Sequence, residues 1–172
     1  MAQKALFVSL KDVKQRSIIS GNLDPDKLVQ FIEVAQDTHI QNYLGGKLYK
    51  KLQSLIVDGE INDAGNSDYK NLLETYVKPM LIWFSQADYF PFSAFQISNG
   101  GVFKHRSESS DTASMDEITM LAERARETAE FYARRFMDHM DHNSTLYPEY
   151  TSTANEDMNP DRDVNFGGIY LG

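Results

Sequence analysis

The residues whose types and spacing could do chemistry are few. Asp138-His139-Met140-Asp141-His142 sets two imidazoles three residues apart, which on a helix puts both on one face, and a divalent metal takes such nitrogen and carboxylate donors. A third convergent ligand is not visible in the sequence. Histidine is also favoured at the negative end of a helix dipole without any metal, so a solvated helix end accounts for the cluster. His39 lies on the apolar face of an expected helix and reads as a semi-buried histidine bonded to a neighbour. Asp88, four residues after Phe84, reads as an exposed acid rather than a buried one.

Other fragments fail on inspection. Asp161-Arg162-Asp163-Val164-Asn165 begins like a calcium loop, but Phe166 stands where the loop needs glycine and no acid occupies the twelfth place. Gly45-Gly46-Lys47 resembles the end of a phosphate loop, yet Gln41 replaces its first glycine and no strand precedes it. Asn143-Ser144-Thr145 fits a glycosylation acceptor, which matters only on secretion. No G-x-S-x-G elbow occurs. Cysteine is absent, which excludes disulfides, thiolate metal sites, iron–sulfur clusters and thiol nucleophiles together. The expectation is therefore a protein that is not an enzyme, with no catalytic, cofactor-binding or metal residue and no cofactor.

At 172 residues the chain has the size of one domain. An apolar fraction of 41%, with 12% aromatics, suffices for a packed core. Seventeen basic against twenty-five acidic residues leave a net charge of −8, which disfavours binding by phosphate neutralisation. No run is long enough to span a membrane, and Met1–Leu10 lacks a signal-type apolar core, so a soluble chain made in a reducing cytoplasm is expected.

The elements that must position these residues read as mainly α, a bundle of about four helices. A short arm at Ala5–Val8 leads to a helical turn over Leu10–Arg16. Asp24-Pro25 opens the first long helix, with Leu28, Phe31, Ile32, Ala35, His39 and Tyr43 as its stripe and Gly45-Gly46 as its stop. A second helix carries Leu48, Leu52, Leu55 and Ile56 from Lys47 to Asp58-Gly59, and a polar loop follows over Asn62–Ser67. The third, from Tyr69 through Phe84 and Ala87, contains Pro79, predicting a kink, and Pro91, predicting its end. The aromatic stripe Tyr76, Phe84, Tyr89, Phe90, Phe92 and Phe95 is ordinarily core, but from Trp83-Phe84 through Phe95 aromatics occupy more than one side, so this helix is either central to the fold or in part meets another subunit. Asn99-Gly100 is a tight-turn dipeptide between Phe95 and Ile97 on one side and Val102 and Phe103 on the other, which predicts a small hairpin over Ala94–Arg106. Ser114-Met115-Asp116-Glu117 is a capping box opening the longest helix, which runs to about His142 on Ile118, Leu121, Ala122, Ala125, Ala129, Tyr132, Phe136 and Met140.

Residues 1–142 thus read as a helical domain and 143–172 as an acidic, extended C-terminal tail. The tail has five acids against one base, yet it finishes on Val164, Phe166, Ile169, Tyr170 and Leu171. Burying its apolar side chains roughly offsets the entropy of ordering it. Anchoring therefore needs added hydrogen bonds or multivalency, and the expected dock is a neighbouring subunit or a partner protein. Phe95, Ile97, Val102 and Phe103 of the hairpin, with Val164, Phe166, Ile169, Tyr170 and Leu171, are the candidate interface residues.

Four stretches, taken in order, resemble one family. They are Gln36-Asp37-Thr38-His39-Ile40-Gln41 with Leu44-Gly45 and Leu48-Tyr49; Tyr76-Val77-Lys78-Pro79-Met80-Leu81; Ile97-Ser98-Asn99-Gly100-Gly101-Val102; and Asn143-Ser144 with Leu146-Tyr147-Pro148. From about Leu6 to Tyr150 the chain resembles head–tail connector (adaptor or ring) proteins of tailed phages that infect Bacteroidetes, the crAss-like group included. The resemblance implies an all-helical adaptor with a small hairpin, assembled as a ring with itself (commonly a dodecamer). The ring sits between the portal protein and the tail or neck proteins, at the neck of the virion, after assembly in the host cytoplasm. DNA would pass through its channel without specific binding, and no membrane is involved. It implies no catalytic residues. Another neck or tail-completion protein, and a small metal-dependent enzyme using His139 and His142, are the alternatives.

Overall fold

Pro25 is pre-set for a helix's first turn, and α2 (Pro25–Ala35) begins there. The computed structural model describes residues 4–16, 25–93, 95–98, 101–104, 113–152 and 158–162; the expected cap Asp24 lies outside them. Before α2, a short helix α1 (Leu10–Arg16) is opened by a reciprocal cap that the sequence reading missed. Ser9 Oγ accepts from the Asp12 amide at 3.1 Å, while Asp12 Oδ2 accepts from the Ser9 amide at 2.9 Å.

α2 does not keep a strict 3.6-residue period. Gln36–Ile40 forms a π-helical turn, closed by the Gln41 amide on the Gln36 carbonyl, before α3 (Gln41–Val57) continues the rod. The extra residue shifts the buried stripe from the expected His39 and Tyr43 to Ile40 and Leu44, which are fully buried, and leaves His39 and Tyr43 half-buried. Inside α3, Gly45 takes φ 72° and ψ 161°, which breaks the rod where a stop was expected. The second half of α3 buries Leu48, Leu52 and Leu55 and ends at Asp58 and Gly59, the latter at φ 76°.

Two single 3₁₀ turns, Glu60–Asn62 and Ala64–Asn66, lead into α4 (Ser67–Leu72). A second π turn, Leu73–Val77, joins α4 to α5 (Lys78–Ser93). Its cause is Pro79, which cannot donate to the Thr75 carbonyl; the Lys78 amide instead reaches back five residues to Leu73. Pro91 does not end α5 as expected. It falls in the last turn, where its ring removes a single ladder bond, and the helix runs on to Ser93. After it, Phe95–Ser98 (β1) and Gly101–Lys104 (β2) pair antiparallel, Phe95 opposite Lys104 and Ser98 opposite Gly101.

Ser114 caps α6 (Met115–Asn143) through the full capping box with Glu117. Ala125, Ala129 and Ala133 form a small-residue stripe, completely or almost completely buried, which lets α6 lie close along α5, its main neighbour. The expected stripe was partly out of phase: Leu121 is 40% exposed and Tyr132 only half-buried, while Ala133 and Met137 are buried instead.

The body continues past the expected boundary at residue 143. A 3₁₀ turn (Ser144–Leu146) and a short α7 (Pro148–Thr151) place Tyr147 and Tyr150 in the core, 1% and 3% exposed. Tyr147 sets its ring edge-on to Tyr69, and Tyr150 sets its ring edge-on to Phe136. The sequence there has no helical period, but two large rings filling gaps between helices need none.

Candidate functional site

Two described segments, residues 5–7 and 158–162, are fixed by unusual contacts. Gln36 is fully buried; its Oε1 accepts from the Phe7 amide at 2.7 Å, and its Nε2 donates to the Ala5 carbonyl at 3.0 Å and to Tyr49 Oη at 3.1 Å. Gln53 adds a second pair of bonds to Ala5. Two amide side chains thus do for the N-terminal arm what a sheet edge would otherwise do.

Residues 158–162 form a strap over the break in α3. The Gly46 amide donates to the Met158 carbonyl at 2.8 Å, and the Asp161 amide donates to the Asn42 carbonyl at 2.7 Å. Pro160 sits so close to Gly45 that a Cβ there would lie 2.7 Å from its Cδ. Arg162 lies over the Tyr150 ring. Asp161 and Arg162, the start of the failed calcium-loop pattern, belong to this strap.

Between α2, α5 and α6 lies a mostly apolar groove of about 630 Å³. Phe31, Val34, Ala87, Pro91 and Phe92 line it, with Val34 52% and Phe92 57% exposed. Phe31 packs edge-on against Tyr89 and tilted against Phe92, both at 5.4 Å. One end of the groove is polar. His39 stacks on Phe84 at 4.2 Å and meets Asp88 Oδ2 through Nε2 at 3.0 Å, and Arg126 approaches Asp88 Oδ1 at 3.6 Å. His39 is the semi-buried, partnered histidine expected; Asp88 is not the exposed acid expected, because the π turn swings His39 onto it.

The Asp138–His142 cluster is held by other partners. His139 stacks on Tyr76 at 4.3 Å, with Nε2 3.3 Å from Tyr147 Oη and Nδ1 3.2 Å from Asn143 Nδ2. His142 Nδ1 lies 2.7 Å from the Asp138 carbonyl. Among the described residues, no three His, Cys, Asp or Glu side chains gather where a metal could sit. Burial holds His139 below the usual histidine value of 6.5 and pushes Tyr147 up to about 12.

A pH dependence follows. His139 binds its proton less readily folded than unfolded, so its contribution is present above pH 6.5 and is lost as pH falls through the lowered folded value. Between about pH 7.5 and about pH 5.5, thermal midpoints should fall further for the native chain than for His139→Gln. Equal falls would show that His139 does not contribute.

Of the expected interface residues, Phe95 is half-buried; the side chains of Ile97, Val102 and Phe103, and all of Val164, Phe166, Ile169, Tyr170 and Leu171, lie outside the described residues. Sequence reasoning missed an apolar line on α6. Met120 and Phe131, 57% and 50% exposed, are eleven residues apart and so fall on one side of the helix, roughly opposite its alanine stripe. The signal was available: both are large apolar residues out of phase with the core positions.

A family model matches residues 40–159, the greater part of the chain; it describes a family of unknown function, DUF6712. No curated protein and no solved structure matches.

Proposed function

We propose that this protein, a member of the DUF6712 family, is a structural connector: an adaptor that assembles as a ring between the portal and the tail of a phage particle and leaves a channel for DNA. The observation that carries the reading is the outer face of α6. Met120 and Phe131 are exposed on the side away from the core, with the Arg124–Glu127 ion pair at 3.0 Å between them. Large apolar side chains left exposed on either side of an ion pair make a mixed surface of the kind that meets another polypeptide.

A ring needs two different sticky surfaces on each copy, because its contact is head-to-tail and repeats until it closes. The β1–β2 pair is the second: the expected turn at Asn99-Gly100 lies outside the described residues, but among those described each strand has one open edge. The net charge of −8 suits a DNA channel, since an acidic lining repels phosphate and lets the duplex slide. The phage setting itself rests on the sequence resemblance.

The test is the double substitution Met120→Asp and Phe131→Asp. Both sites are exposed, so the folded monomer should keep its stability to within about 0.5 kcal/mol. Self-association in sedimentation velocity, and incorporation into particles, should be lost. Full incorporation of the double variant would remove α6 from the contact.

A further inference from the structure

The groove between α2 and α5 leaves Val34 and Phe92 more than half exposed, and the strap shows what lies within reach of it. From Met158 at Gly46 to Asp161 at Asn42, the chain runs backward along α3. One helical turn further in that direction is Thr38, whose carbonyl accepts from Asn42 Nδ2, and Thr38 and His39 form the near end of the groove.

Residues 163–172 follow Arg162, and ten residues can span roughly 33 Å when extended. Thr38 to Phe31 is two helical turns, roughly 11 Å. The segment carries Val164, Phe166, Ile169, Tyr170 and Leu171, matching an apolar groove, and its one charged residue, Asp163, would stay at the polar end, where Arg126 faces Asp88 and His39.

We propose that this chain's own segment Val164–Leu171 docks in the groove between α2 and α5 and covers Val34 and Phe92. An occupant tethered beside its site is held there at roughly millimolar effective concentration, which a neighbour's segment must outcompete. The site is defined by the groove and the heading of the strap, and it stands whether or not the protein is a connector.

The absence of cysteine makes a clean test possible. In the full chain, Val34→Cys is paired with Phe166→Cys, and separately Phe92→Cys with Ile169→Cys. Met120→Cys with Ile169→Cys serves as control, because α6's outer face lies away from the groove. A disulfide forms only when the two Cα atoms come within about 7 Å. Under mild oxidation the groove pairs should close within single chains, with a yield unchanged on about tenfold dilution, and the control should stay open. Closure of the control at the same rate would overturn the proposal, as would crosslinks that join two chains and vanish on dilution. The latter result would assign the segment to a neighbouring copy instead.

Discussion

Gly45→Ala should destabilise the protein by about 2–3 kcal/mol, a fall of about 5–10 °C in thermal midpoint. Two causes add. At φ 72° and ψ 161° an L-residue is strained wherever it stands, and here the new methyl would also meet Pro160 Cδ, Cγ and N at 2.7, 2.8 and 2.9 Å. The backbone nitrogen cannot rotate aside as a side-chain tip can, so the strap must lift. The Gly46–Met158 and Asp161–Asn42 bonds then go with it. Gly59→Ala supplies the comparison: it has φ 76° but nothing within 4 Å, so it carries the strain alone, roughly 1 kcal/mol. Trypsin cleavage after Arg162 should quicken in Gly45→Ala and stay unchanged in Gly59→Ala. Equal stability losses in the two variants would mean that the strap contributes nothing.

Gln36→Leu should cost about 2–3 kcal/mol, because it leaves a buried amide without a partner rather than simply deleting a bond. The leucine is close in size, so the loss falls on hydrogen bonding: the Phe7 amide loses its acceptor, and the Ala5 carbonyl and Tyr49 hydroxyl each lose a donor. Phe7 and Val8, each 2% exposed, are then held by packing, by Gln53 on Ala5 and by the bridges of Lys4 to Glu33 and Asp37. Urea unfolding measures the loss, and hydrogen exchange locates it: the Phe7 amide should be protected in the native chain and exchange freely in the variant. A loss below about 0.5 kcal/mol would place the arm's stability in its apolar contacts.

What the sequence made legible follows from periodicity and local chemistry. The capping box at Ser114, the break at Gly45 and the end at Gly59 all depend on residues close in sequence, and each stands in the structure; the semi-burial of His39 was legible from its helix face, but not its partner Asp88, 49 residues away. The π turn at Gln36–Ile40 was not legible. Its cause includes Gln36 reaching a backbone amide 29 residues away, and no window of local pattern contains that demand. The shift from His39 and Tyr43 to Ile40 and Leu44 and the misjudged Asp88 both descend from that one inserted residue. Tyr147 and Tyr150 were lost for a related reason, since they fill gaps defined by three other helices and leave no repeat. The groove and the outer face of α6 were only half legible: apolar residues off the core stripe can be seen, but which of them stay uncovered depends on how α5 and α6 pack.

A structural connector, as proposed, is a stoichiometric part of its particle. Quantitative mass spectrometry of purified virions, scaled to the portal protein, tests it most directly. A fixed ratio to the portal is expected, one adaptor per portal copy for a matched ring. Absence from the particles, with the protein recovered only from the soluble fraction of infected cells, would contradict it.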